Sequence, residues 1–236
     1  MRKILTALTL ITSSFTGYSQ FYIDVGAKGM LATTWLMNES ILNNQDYIHE
    51  ISMGGGPGFK LGFNFNPSVE LVGEIFYFQF NQKFDITENE ESWKKLITID
   101  RLDLPLLLRR NSTTGSYFEV GGQYSITKGI TETTMINTID AMEYYDQEYW
   151  SAILSFGSYM MGWENFGISF GLRFVYSFND ITSSSGPIGS FTHTVTNLPS
   201  PKETTPLYAG FVLEFNYDLG YMSKSPCTGR RQFLFF

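Results

Sequence analysis

From Tyr208 to Gly220 the chain reads YAGFVLEFNYDLG, and every second position is apolar. Ala209, Phe211, Leu213, Phe215, Tyr217 and Leu219 fall on one face, and Tyr208, Gly210, Val212, Glu214, Asn216 and Asp218 on the other. Period two over more than ten residues predicts a strand long enough to cross a bilayer at a tilt. Ile168–Asn179 repeats the pattern, with Phe170, Leu172, Phe174, Tyr176 and Phe178 against Ser169, Gly171, Arg173, Val175 and Ser177. Phe59, Leu61, Phe63 and Phe65 alternate with Lys60, Gly62 and Asn64 in the same way. Read along the whole chain, the pattern predicts strands at about 21–36, 56–66, 68–85, 96–110, 116–128, 149–162, 166–179 and 206–222. The joins after the second, fourth and sixth are tight turns, at Asn66-Pro67-Ser68, Asn111–Gly115 and Trp163–Asn165. The joins after the first, third, fifth and seventh are long and polar.

A soluble sandwich, or a lipocalin-like barrel, also alternates, so the chemistry of the second face decides between them. A solvated face carries many Lys, Glu and Thr. Here that face is rich in Gly and Ser with isolated charges at mid-strand, as a narrow, crowded lumen requires. Turning Lys60 or Arg173 toward lipid at mid-depth costs roughly 2–4 kcal/mol, which fixes the aromatic face as the outside. The expected fold is all-β: a transmembrane up-and-down antiparallel β-barrel of eight strands, with short periplasmic turns and long extracellular loops. Indistinct boundaries near Met37–Met53 and Asp140 leave ten strands compatible with the pattern. Aromatic residues at 17% suit a greasy outer wall, and a net charge of −7 argues against nucleic acid as a partner.

Residues 1–19 read as a signal peptide. Arg2 and Lys3 precede an apolar run from Ile4 to Ile11, and Gly17 and Ser19 suit a cleavage site before Gln20. The barrel is expected over 20–222, with a periplasmic tail over 223–236. No Cys follows the cleavage site to carry a lipid anchor, and the single Cys227 excludes an internal disulfide.

The fourth predicted strand ends in Arg101-Leu102-Asp103-Leu104-Pro105-Leu106-Leu107-Leu108-Arg109. Proline cannot donate to a ladder, so a bulge or one missing ladder bond is expected near the periplasmic rim. This stretch resembles the LxxPLLL-type segment of the PorT-like outer-membrane barrels of Bacteroidota, small barrels of the OmpA/OmpX type. The leader ending in Ser-Gln and the rhythm of strands and loops fit that group as well. The resemblance implies an outer-membrane location and a non-enzymatic part in type IX protein secretion or envelope assembly, exercised through protein partners. It supplies no catalytic or binding residues.

Alternation places Lys28, Lys60, Arg101, Arg109 and Arg173 inside the lumen with Asp24, Glu70, Glu74, Asp103, Glu119, Glu214 and Asp218. Eight strands leave room only for side chains, and buried charges must pair. A salt-bridged plug is therefore expected in preference to a conducting pore. The fifth-to-sixth connection carries Tyr144, Tyr145 and Trp150 among carboxylates, a candidate partner-binding surface or a solvated loop above an aromatic girdle. Arg230, Arg231, Phe233, Phe235 and Phe236 make the tail a second candidate surface, against a disordered end or an assembly signal. The two histidines, His49 and His193, lie in predicted loops without catalytic partners, and Gly54–Gly58 lacks the Lys-Ser/Thr of a phosphate loop. The chain is thus expected to work in outer-membrane lipid with protein partners in the outer membrane or periplasm. No enzyme activity, metal or cofactor is expected. A passive surface barrel, acting through its extracellular loops as an adhesin or envelope stabiliser, is the alternative.

Overall fold

The computed structural model describes residues 21–42, 47–88, 91–134, 137–163, 165–182 and 203–221. The leader, the tail with Arg230, Arg231, Phe233, Phe235 and Phe236, and His193 lie outside the described residues. Ten strands follow in order: β1 (Tyr22–Asn38), β2 (Tyr47–Glu50), β3 (Ser52–Asn66), β4 (Val69–Glu88), β5 (Glu91–Asn111), β6 (Ser116–Thr134), β7 (Thr138–Asp140), β8 (Glu148–Trp163), β9 (Phe166–Ser177) and β10 (Thr204–Tyr221). One helical turn, α1 (Glu39–Leu42), and a 3-10 turn (Met142–Tyr144) complete them.

Eight strands form the ring, each antiparallel to both neighbours, and β1 closes it against β10 from Tyr22↔Tyr221 to Asn38↔Thr204. The other two, β2 on β4 and β7 on β6, stand off the ring at its loop end. A path of paired residues leaving β4 at Gln79 passes Gly55, Leu31, Phe211, Leu172, Phe156, Phe118 and Arg110. It returns to β4 at Val69, ten residues lower. Closure with that stagger requires strands tilted by about 40°.

The termini of the ring and the three tight turns share one end. In the turn between β5 and β6, Gly115 takes φ 83°, a conformation glycine adopts without strain. At the opposite end the first and fifth joins, expected as loops, carry α1 with β2 and the end of β6 with β7. The third connection, expected as a long polar loop, is a hairpin arm, because β4 and β5 stay paired as far as Glu88↔Glu91.

Pro105 interrupts the ladder within β5, not at the rim. Pairing of β4 with β5 passes from Gly73↔Leu106 to Phe76↔Asp103, so Glu74 and Ile75 have no ladder pair there. Pro57 leaves a similar gap between Gly55↔Gln79 and Gly58↔Phe76. The glycine run Gly54–Gly58 lies inside β3, squeezed between β1 and β4. A Cβ on Gly56 would sit 1.9 Å from the Tyr77 carbonyl oxygen, and one on Gly55 would sit 2.4 Å from that of Met30.

The wall is apolar outside and polar within over its lower two thirds. Phe59, Leu61, Leu106, Phe118, Leu154, Phe170, Phe211 and Phe215 are exposed, while Lys60, Arg109, Glu119, Arg173 and Glu214 are buried. Water would not tolerate so large an apolar wall on a folded monomer, and lipid requires it. The closed ring also satisfies the backbone across the hydrocarbon. The fold is a transmembrane up-and-down β-barrel.

Near the loop end this polarity inverts. In β4 the outward face runs Leu71, Ile75, Tyr77 and then Gln79, Asn81, Lys83, Asp85, while the inward face runs Glu70, Glu74 and then Phe76, Phe78, Phe80, Phe84, Ile86. In β5 the outward face changes from Leu102 to Asp100 at the matching level. Gln79 donates to Asp100 (3.0 Å) and Thr98 to Asn81 (2.9 Å) across the first polar rows. The hydrocarbon boundary crosses these strands here, and β4, β5 and β6 continue beyond it as an arm with a water-facing exterior.

Candidate functional site

The lower lumen gathers nine charges from seven strands. Glu214 on β10 accepts from Arg109 at 2.5 and 3.0 Å and faces Lys28 at 2.9 Å and Lys60 at 3.0 Å. Lys60 also meets Glu70 at 2.6 Å and Asp24 at 3.1 Å, and Lys28 meets Glu74. Arg109 reaches Glu119 at 2.6 Å, and its guanidinium lies 4.5 Å from the centre of the Tyr117 ring. Arg173 forks onto Glu74 at 2.6 and 3.0 Å, and bonds Glu119 at 3.1 Å and Ser155 at 3.1 Å. Alternation puts each charge inside, and the ten-residue stagger brings β5 Arg109 and β10 Glu214 to one level. The side chains of these ion pairs are at most 2% exposed. Asp218, expected among them, instead stands half-exposed at the turn end, accepting only a 3.4 Å bond from Asn216 among its side-chain bonds here.

A second, chemically different layer lies above. Arg101 pairs with Asp103 at 3.1 Å and donates to the Tyr149 hydroxyl at 2.5 Å. Its guanidinium is boxed by Phe78 (4.7 Å), Phe80 (5.3 Å), Tyr149 (5.9 Å) and Tyr208 (4.6 Å). Beyond that box the lumen is packed with Phe84, Ile86, Ile97, Ile99, Ile130 and Ile181. The polar lumen expected along the full height is therefore corrected: the upper part is an apolar core. Its only ion pair among the described residues is Lys95 with Glu132 at 2.6 Å, to which Tyr145 donates at 3.0 Å.

Lys95 shares the inward phase of Arg101 and Arg109, so alternation could have found it. Glu132 could not be found this way. The extra residue Lys128 in β6, between Thr127↔Arg101 and Gly129↔Asp100, shifts the inward face from odd to even numbers.

The loop end separates the residues proposed for partner binding. Tyr145 is buried (3% exposed) with its hydroxyl on Glu132, so it serves the core and not the surface. Tyr144 is half-buried. Trp150 is outward and exposed, its ring 4.9 Å from that of Tyr124 at the upper edge of the aromatic wall. Tyr149, its neighbour in sequence, points into the lumen. His49 on β2 packs edge-on against Phe84 at 4.8 Å, and burial holds its imidazole below the ordinary range. Lys94 bonds Glu50 and holds its carboxyl below the usual carboxylate value, and it also meets Asp85 at 3.5 Å, tying β2 to the arm.

No family model matches the chain, and no curated protein matches its sequence. Similar solved structures include the outer membrane protein OprG from Pseudomonas aeruginosa, 15% identical, covering 86% of this chain and 98% of that one with a TM-score of 0.44. Ail, the attachment invasion locus protein of Yersinia pestis, is 7% identical over 82% of this chain and 98% of its own, with a TM-score of 0.40. Neisserial surface protein A is 10% identical over 84% and 97%, with a TM-score of 0.38.

Proposed function

We propose that this chain is a sealed outer-membrane barrel whose work is done at its two ends, as a non-enzymatic accessory of protein secretion or envelope assembly. The observation that carries the reading is the double seal of the lumen. An ion-paired layer with fully buried side chains lies beneath an apolar one. A barrel that cannot conduct offers only its wall, its rims and its arm to other molecules. The type IX-like role follows from the resemblance to the PorT group and needs partners in the outer membrane or periplasm. A passive surface barrel is the second reading. It is favoured by the arm itself, which carries a broad polar sheet face beyond the lipid boundary.

Two measurements test this. The purified protein in planar bilayers is expected to give no steady conductance; a stable open channel would overturn the sealed scaffold. Co-purification from detergent-solubilised outer membrane is expected to retain secretion or assembly components. Their absence, with surface binding retained and lost on trimming the β4–β5 arm, would favour the passive surface barrel.

A further inference from the structure

The outward face of the wall carries almost no charge within the lipid zone. Among the described residues, Arg110 is the single charged side chain facing out between the boundary positions Gln79, Asp100, Lys128 and Glu148 and the periplasmic turns. It pairs in register with Val69, the first residue after the Asn66-Pro67-Ser68 turn, so it stands at the level of the periplasmic headgroups. The buried inward-facing charges find partners in the lumen; Arg110 is exposed and makes no ion pair or hydrogen bond among the described residues. Beside it runs a groove of about 620 Å³, lined by Pro67, Ser68, Val69, Leu108 and Arg110 among others. Upward, the groove meets the exposed apolar wall of Leu106, Leu108 and Phe118 without a polar break.

We infer that this groove seats one phospholipid of the periplasmic leaflet. The guanidinium takes the phosphodiester by paired N–H donors, the geometry in which arginine exceeds lysine. The Ser68 hydroxyl, one strand away, lies within the same groove, and the acyl chains follow Val69 and Leu108. The inference rests on the membrane reading above and deepens it: the barrel presents one built lipid site on an otherwise unselective wall.

The test is native mass spectrometry of the full chain released from micelles carrying phosphatidylglycerol. Wild type should retain one lipid, Arg110→Gln should lose retention several-fold, Arg110→Lys should keep part of it, and Lys128→Gln should match wild type. Undiminished retention by Arg110→Gln overturns the site. So does equal retention of a diacylglycerol with the same chains, which makes the groove merely apolar. Displacement by millimolar inorganic phosphate also overturns it, as a free-anion site. Failure of the wild-type chain to insert into phosphatidylcholine vesicles would overturn the membrane reading itself. Normal insertion with any of the three results above would leave that reading standing and remove the lipid site alone.

Discussion

Glu214 holds three cations on one carboxylate. Arg109 forks onto it, and Lys28 and Lys60 approach from β1 and β3. Removing one member of a buried ionic cluster leaves its partners uncompensated, at a cost of about 3–5 kcal/mol. Glu214→Gln keeps the shape and removes the charge, so its unfolding free energy in urea, followed by tryptophan fluorescence from phospholipid vesicles, should fall by about that amount. Asp218→Asn, four residues along the same face but at the half-exposed rim, should change it by less than about 0.5 kcal/mol. The inward phase of these charges was legible in the sequence, because alternation and the penalty for charge in lipid leave one choice. Their pairing was not. Arg109 and Glu214 lie 105 residues apart, and only the stagger of the closed ring sets them side by side. Tyr145 was misread for a related reason. Its acidic, aromatic surroundings look like a surface, yet its partner Glu132 turns inward only because Lys128 adds a residue to β6.

Among the elements, β4 and β5 carry the most information, since each changes the meaning of its two faces midway. Below Tyr77 and Leu102 the outer face belongs to lipid; above Gln79 and Asp100 it belongs to water. The strands expected at about 68–85 and 96–110 already run past Gln79 and Asp100 into the inverted segment, but one inside chemistry was expected along each strand. Only the last few residues of the hairpin arm, with greasy residues in and polar ones out, fall outside those bounds. The inversion makes a test that depends on position within one strand. Leu106 and Thr98 both face outward on β5. Leu106→Arg places a cation in the hydrocarbon and should cost about 2–4 kcal/mol, whereas Thr98→Arg should cost no more than about 0.5 kcal/mol. Equal costs at the two sites, measured by the same vesicle unfolding titration, would mean that the boundary does not cross β5 between them.

For the whole molecule, the two layers of the lumen make closure redundant, and this separates the structure from a simple salt-bridged plug. Hydrated ions would meet buried, paired charges below and apolar packing above. Deleting one charged pair, as in Lys28→Ala with Glu74→Ala, empties part of the lower layer but leaves Phe78, Phe80, Ile97 and Ile130 in place above it. Such a variant should remain silent in planar bilayers even if it is less stable. Phe78→Ala with Phe80→Ala should likewise stay closed, because Arg109, Arg173 and their carboxylates still fill the lower section. Only the four substitutions combined are expected to yield discrete conductance steps. Conductance in the charge-deleted variant alone would show that the apolar layer is not a barrier, and the barrel would then be a pore held shut by a handful of ion pairs. Persistent silence of the fourfold variant, with insertion intact, would place the seal elsewhere along the arm.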